Sequence, residues 1–363
     1  MTETRPSRRQ HNVPTITDVA RKAGVSPMTV SRVINAKHTV RDQTRERVEA
    51  AIAELNYAPN AAARTLAGGE EMRIGLLHSN PSFAYLSAFL VGSLDQASRS
   101  NVQLVVEKCD EPGQEAAAVM HLLNGRVDGI VLPPPLSDSP DVLAALEAAG
   151  VPIVAVATGR APEWALSVSI DDRQAAYDMT RHLGALGHVR IGFITGNPNQ
   201  TASAERLEGY RAALADMRLP DDPALVTEGL FTYRSGLDAA DRLLDLSDTP
   251  TAIFASNDDM AAATVAIAHR RGLDVPSDLT VCGFDDTALA TTIWPELTTI
   301  RQPVVEMSRM AVELLVHAIR MGKAGRSSEI TEPHVLADYA LIRRQSDAAP
   351  RRRPVVVLAS KEG

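Results

Sequence analysis

Beyond Met72 the chain alternates short apolar runs with longer segments of helical period, and this rhythm restricts the fold more than any other feature. RIGLLH, VQLVVE, GIVLPPP, VPIVAVA, RIGFITG, TAIFAS and LTVCGFDD read as strands, while segments such as Phe83 to Ser98 and the run ending at Asn124 read as helices. Strands joined in this way pair in parallel, through right-handed crossovers laid on the sheet. One sheet rarely absorbs so many strands, so two lobes are expected. The boundaries read as an N-lobe of about 72–186 plus 301–330 and a C-lobe of about 187–300 plus 331–345. A chain of 363 residues, 45% hydrophobic but only 4% aromatic, suits an α/β core filled by Val, Ile, Leu and Ala.

The region before this core is of another kind. Residues 1–14 (MTETRPSRRQHNVP) read as a flexible polar arm, and 15–59 carry three short helical patterns with almost no linker. The first has Thr17 as its expected N-cap and ends at Gly24; in the second, Ser26 caps and Pro27 takes the first helical position, where its missing N–H costs nothing. The third carries Val48, Ala51, Ile52 and Leu55 on one face. Charge divides at the same place. Residues 1–69 hold 11 Lys and Arg against 6 Asp and Glu, whereas the rest hold 26 against 39. The overall charge of −8 therefore hides a basic head on an acidic body, the distribution expected of a protein that docks one end on phosphate.

TITDVARKAGVSPMTVSRVINAK, from Thr15 to Lys37, has helix-turn-helix spacing. Val19, Ala20 and Ala23 can pack on Val30, Val33 and Ile34, which leaves Pro27, Met28, Thr29, Ser31 and Arg32 on or near the open side of the second helix. Such a helix fits the major groove of an inverted-repeat duplex, where Arg32 can bond guanine and Met28 can touch thymine methyls. Ser26, Thr29, Ser31 and Asn35 suit phosphate. A structural helical hairpin with a solvated arginine is the competing reading.

These motifs, with TRERVEAAIAELNYAPNAAARTLAGG after them and nearly the whole body up to Arg344, resemble the lactose/galactose-repressor (LacI/GalR) family. The resemblance implies a ligand-responsive, sequence-specific transcription regulator, most simply a homodimeric repressor of carbohydrate genes released by a sugar. It implies that base reading starts at Pro27 and Met28, followed by Thr29, Ser31 and Arg32, with Thr15 also at the DNA. Residues 60–70 are then the hinge helix, which folds on operator DNA and wedges a leucine into the minor groove; Leu66 falls at that position, with Asn60, Ala63 and Arg64 nearby. A plain Ala-rich linker is the alternative.

For the body, the resemblance implies a two-lobed, periplasmic-binding-protein-like, Rossmann-like core that closes on a ligand beyond the carboxyl ends of its strands. Arg206 in ERLEGY matches the family's ligand-binding arginine, Phe231 the aromatic under a sugar ring, and Asn257 and Asp285 the pair that bonds hydroxyls. Gln302 is a further candidate, as are Ser79, Phe83 and Tyr85 after the first strand, and Asp171 or Gln174. Without the family, Asn257-Asp258 reads as a helix cap and Asp285-Asp286 as a turn.

Paired aspartates can serve an enzyme, yet the chain has no GxGxxG, Walker A, GxSxG, HExxH or CxxC pattern, so no enzyme, metal or cofactor is expected. A sugar-binding protein without a DNA role is opposed by the head, and a purine or phosphocarrier corepressor remains the alternative signal. Cys109 and Cys282 read as buried thiols. No apolar run has signal-peptide or membrane-spanning length, so a cytoplasmic location without membrane contact is expected. The segment 346–363 reads as a flexible tail.

Overall fold

The computed structural model describes residues 14–35, 40–55, 57, 72–109, 113–325 and 332–351. The chain divides after Glu71 into two units.

The first unit is a three-helix head of α1 (Ile16–Ala23), α2 (Pro27–Asn35) and α3 (Asp42–Glu54). The cap of α1 is Thr15 and not Thr17: its hydroxyl accepts from the Asp18 amide while Asp18 reaches back to the Thr15 backbone. The Asp18 carboxylate completes a box only with the residue three positions before it, which displaces the expected start by two residues. Gly24 ends α1 in the left-handed region at φ 65°, and Arg47 of α3 donates to the Ala23 carbonyl beside it. Val19, Ala20, Ala23, Val30, Val33, Val48, Ala51 and Tyr57 form a closed core, the packing expected from the apolar spacing.

The second unit contains two six-stranded sheets. Its elements are β1 (Arg73–His78), α4 (Phe83–Ser100), β2 (Gln103–Lys108), α5 (Glu115–Asn124), β3 (Gly129–Leu132), α6 (Pro140–Ala149), β4 (Ile153–Val156) and β5 (Leu166–Ser169). There follow α7 (Asp172–Ala185), β6 (Ile191–Thr195), α8 (Thr201–Asp216), β7 (Val226–Glu228), α9 (Tyr233–Leu244), β8 (Ala252–Ala255), α10 (Asp258–Arg270) and β9 (Thr280–Asp285). The last are α11 (Leu289–Thr292), β10 (Thr298–Arg301), α12 (Val304–Lys323), β11 (His334–Leu336) and β12 (Ala340–Ile342). Strand order is β11-β5-β4-β3-β1-β2 in the first lobe and β12-β10-β9-β8-β6-β7 in the second. Every pairing is parallel except β10 with β12. GIVL in β3, IVAV in β4 and AIFA in β8 are wholly buried, as strands covered on both faces must be.

Two lobe boundaries differ from those expected. α7 packs on α8, β8, β10 and β12, so it belongs to the second lobe and the crossing falls at Ile170-Asp171 instead of after residue 186. Its buried face of Ala175, Ala176, Met179 and Leu183 fits the second sheet. β11 pairs with β5 and so lies in the first lobe, while β12 returns to the second. The chain thus crosses three times, between β5 and α7, β10 and α12, and β11 and β12.

The start of the expected flexible tail is also corrected. Ser346 and Asp347 are buried. The Ser346 hydroxyl accepts from the Thr298 amide at 2.8 Å and donates to the Val281 carbonyl at 2.5 Å, and Asp347 accepts from Thr298 at 2.6 Å. The hydroxyls that satisfy these strand ends come from the polar residues that made the segment read as loop. Residues 352–363, like 1–13 and 58–71, lie outside the described set. Both cysteines are buried and in thiol form, outside any disulfide.

Candidate functional site

A narrow cleft of about 30 Å³ lies between the carboxyl ends of the two sheets. Asn80, Ser82 and Tyr85 line it from beyond β1, Pro134 from β3 and Ala157 from β4; Gln200, Ala202, Arg206, Phe231, Asn257, Asp285 and Gln302 line it from the second lobe and the β10–α12 crossing. Parallel strands place their loops at one end, so residues far apart in sequence converge there.

Arg206 is the centre. It is 4% exposed, and its Nε donates to Asp172 Oδ1 at 2.7 Å while Nη1 donates to the Ser256 carbonyl. Asp285 Oδ1 lies 3.9 Å from Nη1, and the guanidinium stacks over Phe284 at 3.5 Å and near Phe231 at 5.7 Å. The hydrogen-bonded Asp172 and two ring faces compensate this one cation, with Asp285 beside it. Gln302 Nε2 donates to Asp285 Oδ1 at 2.6 Å, which turns the amide oxygen of Gln302 away without a partner. The buried Tyr85 hydroxyl also has none. Phe231 sits in the left-handed region at φ 58°, its ring seated on Gly196, where any Cβ would occupy the ring's space.

Burial governs the acids. It pushes Asp285 up to about 7, against the opposing pull of Arg206. Asp258 is raised well above the carboxylate range by burial and by Asp285, although it accepts from the Thr287 amide at 2.7 Å and from Thr299 Oγ1 at 2.7 Å. Asp172 is raised by burial despite Arg206, and Asp259 by burial. Asn257 meets its reading as a helix cap: Oδ1 accepts from the Met260 amide at 3.0 Å at the start of α10, while Nδ2 donates to the Phe231 carbonyl at 3.1 Å.

Six of the ten expected cleft residues therefore converge: Tyr85, Arg206, Phe231, Asn257, Asp285 and Gln302. The other four do not line it. Phe83 is 87% exposed, because the first turn of α4 faces outward there. Ser79 is half-buried and lies beside the lining Asn80. Asp171 is exposed and caps α7 by accepting from the amide of Gln174, itself exposed. In that Asp171-Asp172 doublet the inward residue is Asp172, and the helix start decides which of the two it is. Ser82, Gln200 and Asp172 were missed; Ser82 reveals itself in the sequence only as a plausible cap of α4, whose Tyr85 amide it accepts at 3.3 Å.

In the head, Pro27, Met28 and Arg32 are exposed on α2, Met28 by 66%, while Thr29 and Ser31 are half-buried. Ser26 Oγ accepts from the Thr29 amide at 3.1 Å and bonds Thr29 Oγ1 at 2.9 Å, so both hydroxyls serve the helix start. The Asn35 side chain and Asn60, Ala63, Arg64 and Leu66 lie outside the described residues. Among the described residues no cluster of metal-ligating groups occurs, and no helix is long and apolar enough to cross a membrane.

Two family profiles match: bacterial regulatory proteins of the lacI family over residues 15–60, and the periplasmic binding protein-like domain over 180–346. Catabolite control protein A of Priestia megaterium is 35% identical over 328 residues, covering 88% of this chain and 96% of its own. A crystal structure of the lac repressor dimer bound to operator and the anti-inducer ONPF superposes with TM-score 0.74 at 31% identity, covering 93% of this chain and 99% of that one. A transcriptional regulator CelR–cellobiose complex gives TM-score 0.69 at 32% identity, with 92% and 100% covered. With both profiles in chain order and a relative matched over nearly its full length, this chain belongs to the lacI family of bacterial regulatory proteins.

Proposed function

We propose that this regulator is a homodimeric repressor of carbohydrate-utilisation genes, released from its operator when a neutral sugar enters the interlobe cleft. The carrying observation is the compensated Arg206 among Asp172, Asp285 and Phe231, beside the unpartnered Gln302 oxygen and Tyr85 hydroxyl. Sugar hydroxyls both donate and accept, so they suit an amide oxygen and a phenol that lack partners, and a ring face suits Phe231. A phosphorylated signal requires surplus positive charge, and the cleft's one arginine is already matched by the hydrogen-bonded Asp172. The cellobiose of the CelR complex is a ligand of this chemistry.

Operator reading falls to Met28 and Arg32, which α2 leaves exposed, with Pro27, Thr29 and Ser31 beside them; contact with phosphate is assigned to Thr15, Ser26 and Asn35 from residue type and resemblance. Phe83, Val91 and Leu94 form an exposed apolar stripe on α4, a surface suited to the dimer partner. Asn60, Ala63, Arg64 and Leu66 supply the minor-groove hinge by resemblance. Sugar acts only through unequal affinity for the operator-bound and released forms.

The test is a thermal-shift screen against mono- and disaccharides, including cellobiose and ribose, on wild type and Arg206→Ala. An effector at a hundred times its Kd stabilises by about 2.7 kcal/mol. That shift is expected in wild type and absent in the variant; an equal shift in both overturns the cleft assignment. In gel shifts on a duplex selected from a random library, Leu66→Ala and Arg32→Ala are each expected to weaken specific binding at least tenfold more than nonspecific binding. Equal loss on both duplexes overturns the reading roles.

A further inference from the structure

α8, which carries Arg206, begins without a cap of its own. Gln200 stands at the N-cap position in extended conformation, and its side chain makes no bond to the helix. Gln200 lines the cleft instead. The neighbouring α4, α6, α7, α9 and α10 are each capped by the residue before them: Ser82, Ser139, Asp171, Thr232 and Asn257.

What α8 lacks comes from the other lobe. Asp138, in the short turn after β3, accepts from the Thr201 amide through Oδ2 at 2.8 Å, and Thr201 Oγ1 lies 3.0 Å from each carboxylate oxygen. Thr158, beyond β4, donates to Asp138 Oδ1 at 2.5 Å and holds the carboxylate in place. The Gly159 amide donates to Thr201 Oγ1 at 2.7 Å, so the threonine hydroxyl gives one hydrogen bond to the first lobe and receives another. A carboxylate at a helix start satisfies free N–H groups and meets the positive end of the dipole. Across the mouth, Ser82 of the first lobe donates to Asp259 of α10 at 2.6 Å.

We infer that Asp138 is a positioning residue: an interlobe cap that completes α8 only when the lobes are together, coupling closure to the alignment of Gln200 and Arg206. This rests on the reading of the cleft as the ligand site. Opening the mouth withdraws the cap, uncovers the helix start and frees a carboxylate. Closing restores all three bonds and sets the two lining side chains, so the energy of closure is partly supplied by the protein's own clasp.

Peptide-resolved hydrogen–deuterium exchange on the full chain, with no small molecule added, tests the clasp. Asp138→Ala is expected to speed exchange at residues 201–203 by roughly fivefold, the equivalent of one lost cap, with α9 unchanged. Asp138→Asn, which keeps an acceptor oxygen, is expected to recover most of the protection. Thr201→Val is expected to speed exchange at Gly159, on the opposite lobe. Unchanged exchange at 201–203 in Asp138→Ala, or acceleration spread evenly through the second lobe, overturns the inference. Because no ligand is present, that failure leaves the cleft assignment untouched, whereas a failed sugar screen leaves the clasp standing.

Discussion

At the scale of single residues, the cleft stores ionisation. Asp285, lifted to about 7 by burial, holds a proton in the folded chain that the unfolded chain releases near 3.8. Its contribution to stability is therefore complete below about pH 4 and lost as pH rises through about 7. Urea denaturation between pH 4 and pH 8 is expected to show wild type losing stability relative to Asp285→Asn across that interval; parallel curves would refute the assignment. The sequence made Arg206, Phe231 and Asp285 legible because each stands in a motif with a family counterpart. It left Asp172 hidden: in Asp171-Asp172 one residue caps and the next turns inward, and a shift of one position in the helix start exchanges their roles.

Elements pack through chosen absences of side chain. Gly209 on α8 lies against α7 so closely that a Cβ would overlap the Arg173 carbonyl oxygen, which as backbone cannot step aside. Gly209→Ala is expected to cost about 3 kcal/mol, read by chemical denaturation, since overpacking forces the two helices apart. In the head the demand is conformational: Gly24 at φ 65° turns α1 toward α2, and Gly24→Ala is expected to cost about 1–2 kcal/mol of head stability, followed by helical circular dichroism of an isolated fragment 1–57 against its wild-type counterpart. Long helices and fully apolar strands could be read directly from period. β7, β11 and β12 could not, because three-residue strands are too short to show a period, and their identity is fixed by which edge they join. Thr15 was displaced from view for a related reason, since both it and Thr17 are capping residues at the edge of the same apolar pattern and only the reciprocal bond with Asp18 separates them.

Across the whole molecule the terminal segment carries more than its composition suggests. Ser346 joins β9 and β10 at their starting ends by accepting from one and donating to the other, and Ser346→Ala is expected to destabilise the body by about 2 kcal/mol, because a buried amide and a carbonyl both lose their partner. An unchanged melting temperature would show that the strap is incidental. The order of lobes was legible from the strand rhythm, and so was the crossing after β10, but the other two were not, since nothing local marks where a chain leaves one sheet for another. Those three crossings, side by side at one seam, act as a triple thread through a book's spine. The covers can swing, yet they cannot slide past each other or drift apart, so whatever changes the contents of the fold is delivered as an angle about a fixed axis and not as a general loosening of the volume.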